Sequence, residues 1–261
     1  MVMARKPRSF SELVHMSAKR NLTPEDSGDK PMHEDHRDIT GGAARAAVFG
    51  ISDGLVSNTT LILGVAGAHP ASGLVRLAGL AGLVGGAFSM AIGEYVSMAA
   101  QRELFEREIA IEAAEIHGRP DFEKKELARI YESRGVPRDL AEQFAAHMMD
   151  DPEVALATHA KEELGIDPSS IGSPIQAAVS SFVAFAVGAL VPLSPWFFTT
   201  GTTGIYISVV VAIIASILIG AALSWATGRS LVKSVARQLI LSAIAAGITF
   251  TLGRVIGFSA G

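Results

Sequence analysis

The chain has no cysteine in its 261 residues. That absence excludes disulfides, thiolate nucleophiles and cysteine-ligated zinc or iron–sulfur centres together. Any metal must be held by oxygen, imidazole or thioether. Acidic residues are missing just as sharply from parts of the sequence: none of the 26 follows Asp167, and only Asp53 and Glu94 fall between Thr40 and Gln101. Aromatic residues make up 7%, and no basic stripe is interleaved with them, so nucleic acid is not an expected partner. The basic start (Arg5, Lys6, Arg8) is not followed by an apolar core and does not read as a secretory signal peptide. No internal repeat and no strand-like alternation is evident.

What is present is divided between two solvents. Seventeen acids against nine Lys and Arg are concentrated between Arg102 and Asp167, while the stretches on either side are long and apolar. The mean hydropathy of +0.36 is thus an average over unlike segments. An unpaired carboxylate in hydrocarbon costs several kcal/mol, so the apolar stretches belong in a membrane and the acidic insert in water.

Apolar segments at 43–67, 74–98, 175–195, 203–227 and 234–257 each approach the roughly 20 residues a helix needs to cross hydrocarbon. The first two are rich in Gly, Ala, Ser and Thr, which suits close helix packing, and Gly82 and Gly86 form a small-xxx-small pair. Arg229, Lys233 and Arg237 follow the fourth span, and the 68–73 turn has no charge. Pro192 to Gly204 is also uncharged and offers Trp196, Phe197 and Phe198 as interfacial anchors. This pattern predicts the N-terminus and the insert in the cytoplasm and the C-terminus outside.

Within the insert, Gln101–Ile116, Glu123–Ser133, Arg138–Met149 and Pro152–Leu164 read as helices separated by Gly and Pro breaks. Their apolar positions Ile109, Ile116, Phe122, Leu127, Ile130, Leu140, Phe144 and Leu156 are the expected small core. The predicted fold class is all-α: an integral membrane protein with about five transmembrane helices and a helical, acidic cytoplasmic domain inserted between the second and third spans. The expected domains are a disordered cytoplasmic tail at 1–40, spans 1–2 at 41–100, the acidic domain at 101–168 and spans 3–5 at 169–261. His33 and His36, in the tail, read as solvated.

Residues three or four apart share a helix face, so Asp53, Ser57, Thr60 and Gly64 form a polar stripe on the first span, and Met90, Glu94 and Met98 one on the second. Oxygen and thioether groups facing each other could replace part of a divalent cation's hydration shell. The plainer alternative makes Asp53 a local cap and Glu94 a solvated headgroup-depth residue. In the insert, Glu112 and Glu115, Glu123 and Glu126, and His159 and Glu163 can each present two ligands from one helix face. Taken singly, such spacings more often mark a solvated face.

The run Gly41-Gly-Ala-Ala-Arg-Ala-Ala-Val-Phe-Gly-Ile-Ser-Asp-Gly-Leu-Val-Ser57, with Ser89-Met-Ala-Ile-Gly-Glu-Tyr-Val-Ser97, resembles the vacuolar iron transporter family. Glu163-Leu-Gly-Ile-Asp-Pro168 and the Gly-Ala-Leu-Val-Pro-Leu run ending at Leu193 extend the resemblance, which covers about residues 36 to 257. It implies a homodimer of five-span subunits exporting ferrous iron from the cytoplasm in exchange for protons. The ion path would run between subunits past Asp53 and Met90, with Glu94 near its entrance and the second span continuing as a helix into the cytoplasmic domain. That helical cytoplasmic domain would be metal-binding, its ligands falling on Glu112, Glu115, Glu123, Glu126 and Glu163. Where the family has two consecutive methionines before the last glutamate, this chain has His159 and Ala160. A borderline nitrogen there keeps manganese, cobalt and zinc open beside iron.

The sequence thus predicts a transporter and not an enzyme. It has no prosthetic group, and its partners are divalent metal, protons, the lipid bilayer and a second copy of itself. A bacterial cytoplasmic membrane is the expected location. Two rivals are a membrane-anchored metal sensor or buffer and a di-iron carboxylate oxidase. The oxidase is opposed by the lack of a pair of Glu-x-x-His motifs: the single one, Glu12-Leu-Val-His15, falls in the N-terminal tail.

Overall fold

The computed structural model describes residues 42–165, 172–228 and 230–260. The expectations placed on the 1–40 tail, with His33 and His36, and on the run through Asp167 and Pro168 lie outside the described residues. The helices are α1 (Gly42–Gly67), α2 (Ser72–Gly118), α3 (Pro120–Ser133), α4 (Arg138–Met148), α5 (Pro152–Glu162), α6 (Pro174–Leu193), α7 (Gly201–Thr227) and α8 (Leu231–Ala260). A single 3-10 turn, Ser194–Phe197, follows α6. No strand occurs among the described residues. Five helices (α1, α2, α6 with its 3-10 turn, α7 and α8) are long and apolar enough to cross a membrane.

The described residues fall into two compact units, one within Ala99–Ile171, the other within Gly41–Met98 and Gly172–Gly261. In the membrane unit α1 is the central helix, packed on α6, α7 and α8. Glycines let it come close. A Cβ at Gly50 would lie 2.8 Å from the Ser181 carbonyl oxygen, and one at Gly54 or Gly188 would run into the backbone of the facing helix. The small-xxx-small device therefore operates at Gly50 and Gly54 between α1 and α6, in addition to the expected pair on α2, where Gly86 faces the Phe185 ring.

One sequence expectation changes here. Trp196 does not act as an interfacial anchor: it is 2% exposed and packs with Ile62, Ala66, Val75 and Leu193, because the 3-10 turn after Pro192 folds it back under the helix ends. Phe198, by contrast, is 88% exposed.

In the acidic unit the breaks lie where Pro and Gly demand them. Pro120 and Pro152 open helices, Asp151 caps α5 by accepting from the Glu153 N–H at 2.9 Å, and Gly135 and Gly165 take positive φ. Its core departs from expectation. Leu127 is buried with Ala128, Ala141 and Ala145, and Ile109 with Ala160, whereas Phe122, Leu140 and Phe144 are exposed. Alanine lets α3 and α4 approach closely, with Tyr131 packed against the cluster and Phe144 edge-on to Tyr131 at its rim.

Candidate metal sites

In the acidic unit, Glu112 comes from α2, His159 from the last turn of α5 and Glu163 from the residue capping α5. One ligand atom from each lies within 4.8 Å of the others. His159 Nδ1 is 3.0 Å from Glu112 Oε1 and 3.8 Å from Glu163 Oε2. His159 is fully buried and Glu112 nearly so, yet Glu112 Oε1 and both imidazole nitrogens make no hydrogen bond of acceptable geometry. A buried polar atom left unpaired costs about 1–3 kcal/mol. Glu112 Oε1 and His159 Nδ1, which face one another, suit a bound cation that would satisfy both.

The electrostatics point the same way. Burial, then the charges of Glu163, Glu123, Glu115 and Glu126, push the Glu112 carboxyl up to about 7. Glu123, also buried, is raised by burial and by Glu126, Glu115 and Glu163, with Arg119 opposing. Burial lowers His159 and so favours the neutral, ligating imidazole, while Glu163 and Glu126 pull the other way. All five glutamates thus act on one another as like charges. At ligand distance, however, only Glu112, His159 and Glu163 converge among the described residues. Glu115 instead pairs with Arg119 at 3.0 Å.

In the membrane unit a cavity of about 190 Å³ is lined by Asp53, Ser57, Asn58 and Leu61 of α1, Gly82, Gly86, Ser89 and Met90 of α2, and Phe185 of α6. The Ser57 hydroxyl donates to Asp53 Oδ1 at 2.9 Å. Carboxylate, hydroxyl and thioether thus line one space, a mixed hard and soft donor set. Asn58 was missed by the face rule because it lies five residues from Asp53, off the stripe. Its amide donates to the Ala189 carbonyl at 2.7 Å, and its Oδ1 is buried without a partner.

Not every residue of the two stripes reaches this space. Thr60 turns its hydroxyl to the Ser57 carbonyl at 2.8 Å, and Gly64 backs onto Thr249 and Gly253 of α8. Met98 is buried with Ala46 and Ala177. Glu94 pairs with Arg45 at 3.2 Å, an interaction the sequence did not suggest.

A family model described as the VIT family matches residues 44–254, which include every residue of both sites. The chain belongs to the VIT family. The VIT match starts and stops a few residues inside the 36–257 expected from the motifs. Among similar proteins are a "Vacuolar iron transporter" of Acanthamoeba castellanii (strain ATCC 30010 / Neff), 33% identical over 82% of this chain and 78% of its own length, and one of Centaurea cyanus, 29% identical over 85% and 91%. "Vacuolar iron transporter 1" of Arabidopsis thaliana is 27% identical over 90% of this chain and 95% of its own length. With its five spanning-length helices, this VIT-family chain is a multi-pass membrane protein.

Proposed function

We propose that the chain is a transporter, not an enzyme, that exports ferrous iron, and other divalent transition metals such as manganese, cobalt or zinc, from the cytoplasm in exchange for protons. The observation that carries the reading is a carboxylate in mid-span, Asp53, lining a cavity with Met90. An acid at that depth is expensive and marks an ion path. The names of the relatives, which are iron transporters, support the cargo.

In this reading the acidic unit lies in the cytoplasm between the second and third spans and captures metal through Glu112, His159 and Glu163. Glu115, Glu123 and Glu126 supply negative field and further oxygens. Glu94, Met90 and Asp53 then receive the ion. Protonation of Asp53 from the far side releases it, since a neutral carboxyl is a poor ligand. The working unit is a homodimer with the path between subunits. The relatives are named for the vacuole. For this chain we keep the bacterial cytoplasmic membrane, and in either membrane the metal leaves the cytoplasm.

The test is Fe²⁺ flux, with the iron kept reduced, into proteoliposomes holding the purified chain. Uptake should be driven by an opposing proton gradient and be competed by Mn²⁺, Co²⁺ or Zn²⁺. Flux absent for all four metals would end the reading; flux indifferent to the gradient would end its antiport half.

A further inference from the structure

We infer that Arg45 is a specificity-determining residue of the transport path, holding Glu94 in the metal-free protein so that only a divalent cation can displace it. The inference rests on the transport reading above. Arg45 Nη2 lies 3.2 Å from Glu94 Oε2, joining α1 to α2. The two side chains differ in freedom: the arginine is 66% exposed and the glutamate 12%. The cation can swing into open space, while the carboxylate stays where the helix holds it.

Arg45 does not serve its own helix. It stands in the first turn of α1, which begins at Gly42, where the helix dipole disfavours a positive charge. Its partner is one of only two acids between Thr40 and Gln101. Glu94 lies one turn from Met90, which lines the cavity with Asp53. The contact runs from one nitrogen to one oxygen and lacks the two-pronged geometry of a firm arginine–carboxylate pair. It therefore opens at small cost.

Charge decides what opens it. A monovalent cation at Glu94 offers the carboxylate the same single charge that Arg45 already supplies. A divalent ion doubles the Coulomb attraction at equal distance. Arg45 thus sets a charge threshold: potassium and sodium, though abundant, gain nothing by entering, and the metal does. Without Arg45 the carboxylate accepts either.

The experiment measures Mn²⁺ flux in proteoliposomes for the native chain, Arg45→Gln, Arg45→Lys and the Arg45→Gln/Glu94→Gln pair, with and without K⁺ on the entry side. In Arg45→Gln the KM for Mn²⁺ should fall about five-fold without K⁺, the size such a partly exposed pair carries. Added K⁺ should reverse the fall. Arg45→Lys should behave as the native chain, and removing Arg45 should change nothing once Glu94 is glutamine. Native KM and K⁺ insensitivity in folded Arg45→Gln would overturn the inference, as would an Arg45 effect that survives Glu94→Gln. A native chain without Mn²⁺ flux would instead count against the transport reading. Should Arg45→Gln fail to fold, phenylglyoxal modification of Arg45, read by mass spectrometry on the native chain, replaces it. Saturating Mn²⁺ should speed that modification, and equal rates with and without Mn²⁺ would overturn the inference.

Discussion

His159 Nδ1 and Glu112 Oε1 approach to 3.0 Å inside the acidic unit, and neither completes a hydrogen bond. Two polar atoms so placed are poised for a third partner. Replacing Glu112 by Gln or His159 by Ala should weaken Mn²⁺ binding to the full chain in detergent by roughly ten-fold or more, the scale on which metal-site groups act. Isothermal titration reads this directly, and native affinity in both variants would remove the trio from the site.

The same pair makes metal binding pH-dependent. The Glu112 carboxyl, pushed up to about 7 by burial and neighbouring glutamates, must lose its proton to ligate. Affinity should therefore fall as pH drops through about 7, and Glu112→Gln should flatten that slope. Without metal the sign for stability is opposite. A carboxyl raised in the folded state stabilises it fully below the unfolded value of 4.5, and this contribution is lost as pH rises through about 7. His159, lowered by burial, works the other way: its contribution is present above 6.5 and is lost as pH falls below that value. The difference in melting temperature between the native chain and Glu112→Gln, followed across pH in chelator, isolates the Glu112 part.

Helix packing around α1 should be intolerant of one methyl group. A Cβ at Gly188 would press on the Ile51 carbonyl and one at Gly54 on the Phe185 carbonyl, so each glycine-to-alanine change should cost about 1–3 kcal/mol. Gly247→Ala is the control, since nothing lies within 4 Å of its would-be Cβ. There the change should be neutral or stabilising by up to about 1 kcal/mol. Thermal denaturation in detergent should separate the two classes, and equal losses would contradict the packing described.

Much of this was readable from the sequence, for physical reasons that differ by element. Length and apolarity alone mark a span, so all five were found, with ends displaced by a few residues except that the second helix runs on unbroken to Gly118. The helix start at Pro152 and the stop at Gly165 follow local backbone rules, while α3 starts at Pro120, three residues before the expected Glu123. What depends on three-dimensional approach was not readable. Nothing local says that alanines and not Phe122 or Phe144 fill the core of the acidic unit, or that Trp196 folds inward while Phe198 stays out. The four-residue spacing paired His159 with Glu163, but nothing local showed that Glu112 meets them. Asn58 escaped a rule that follows one face of one helix, and Arg45 escaped because its partner is 49 residues away.

The account turns on Asp53, half-buried and joined at its Oδ1 to the Ser57 hydroxyl within the cavity. Proton-driven Mn²⁺ flux by Asp53→Asn in proteoliposomes, beside Mn²⁺ binding by the same preparation, tests it most directly. The predicted result is flux at background with binding at the acidic unit unchanged. Flux at the native rate, still coupled to the proton gradient, would contradict it.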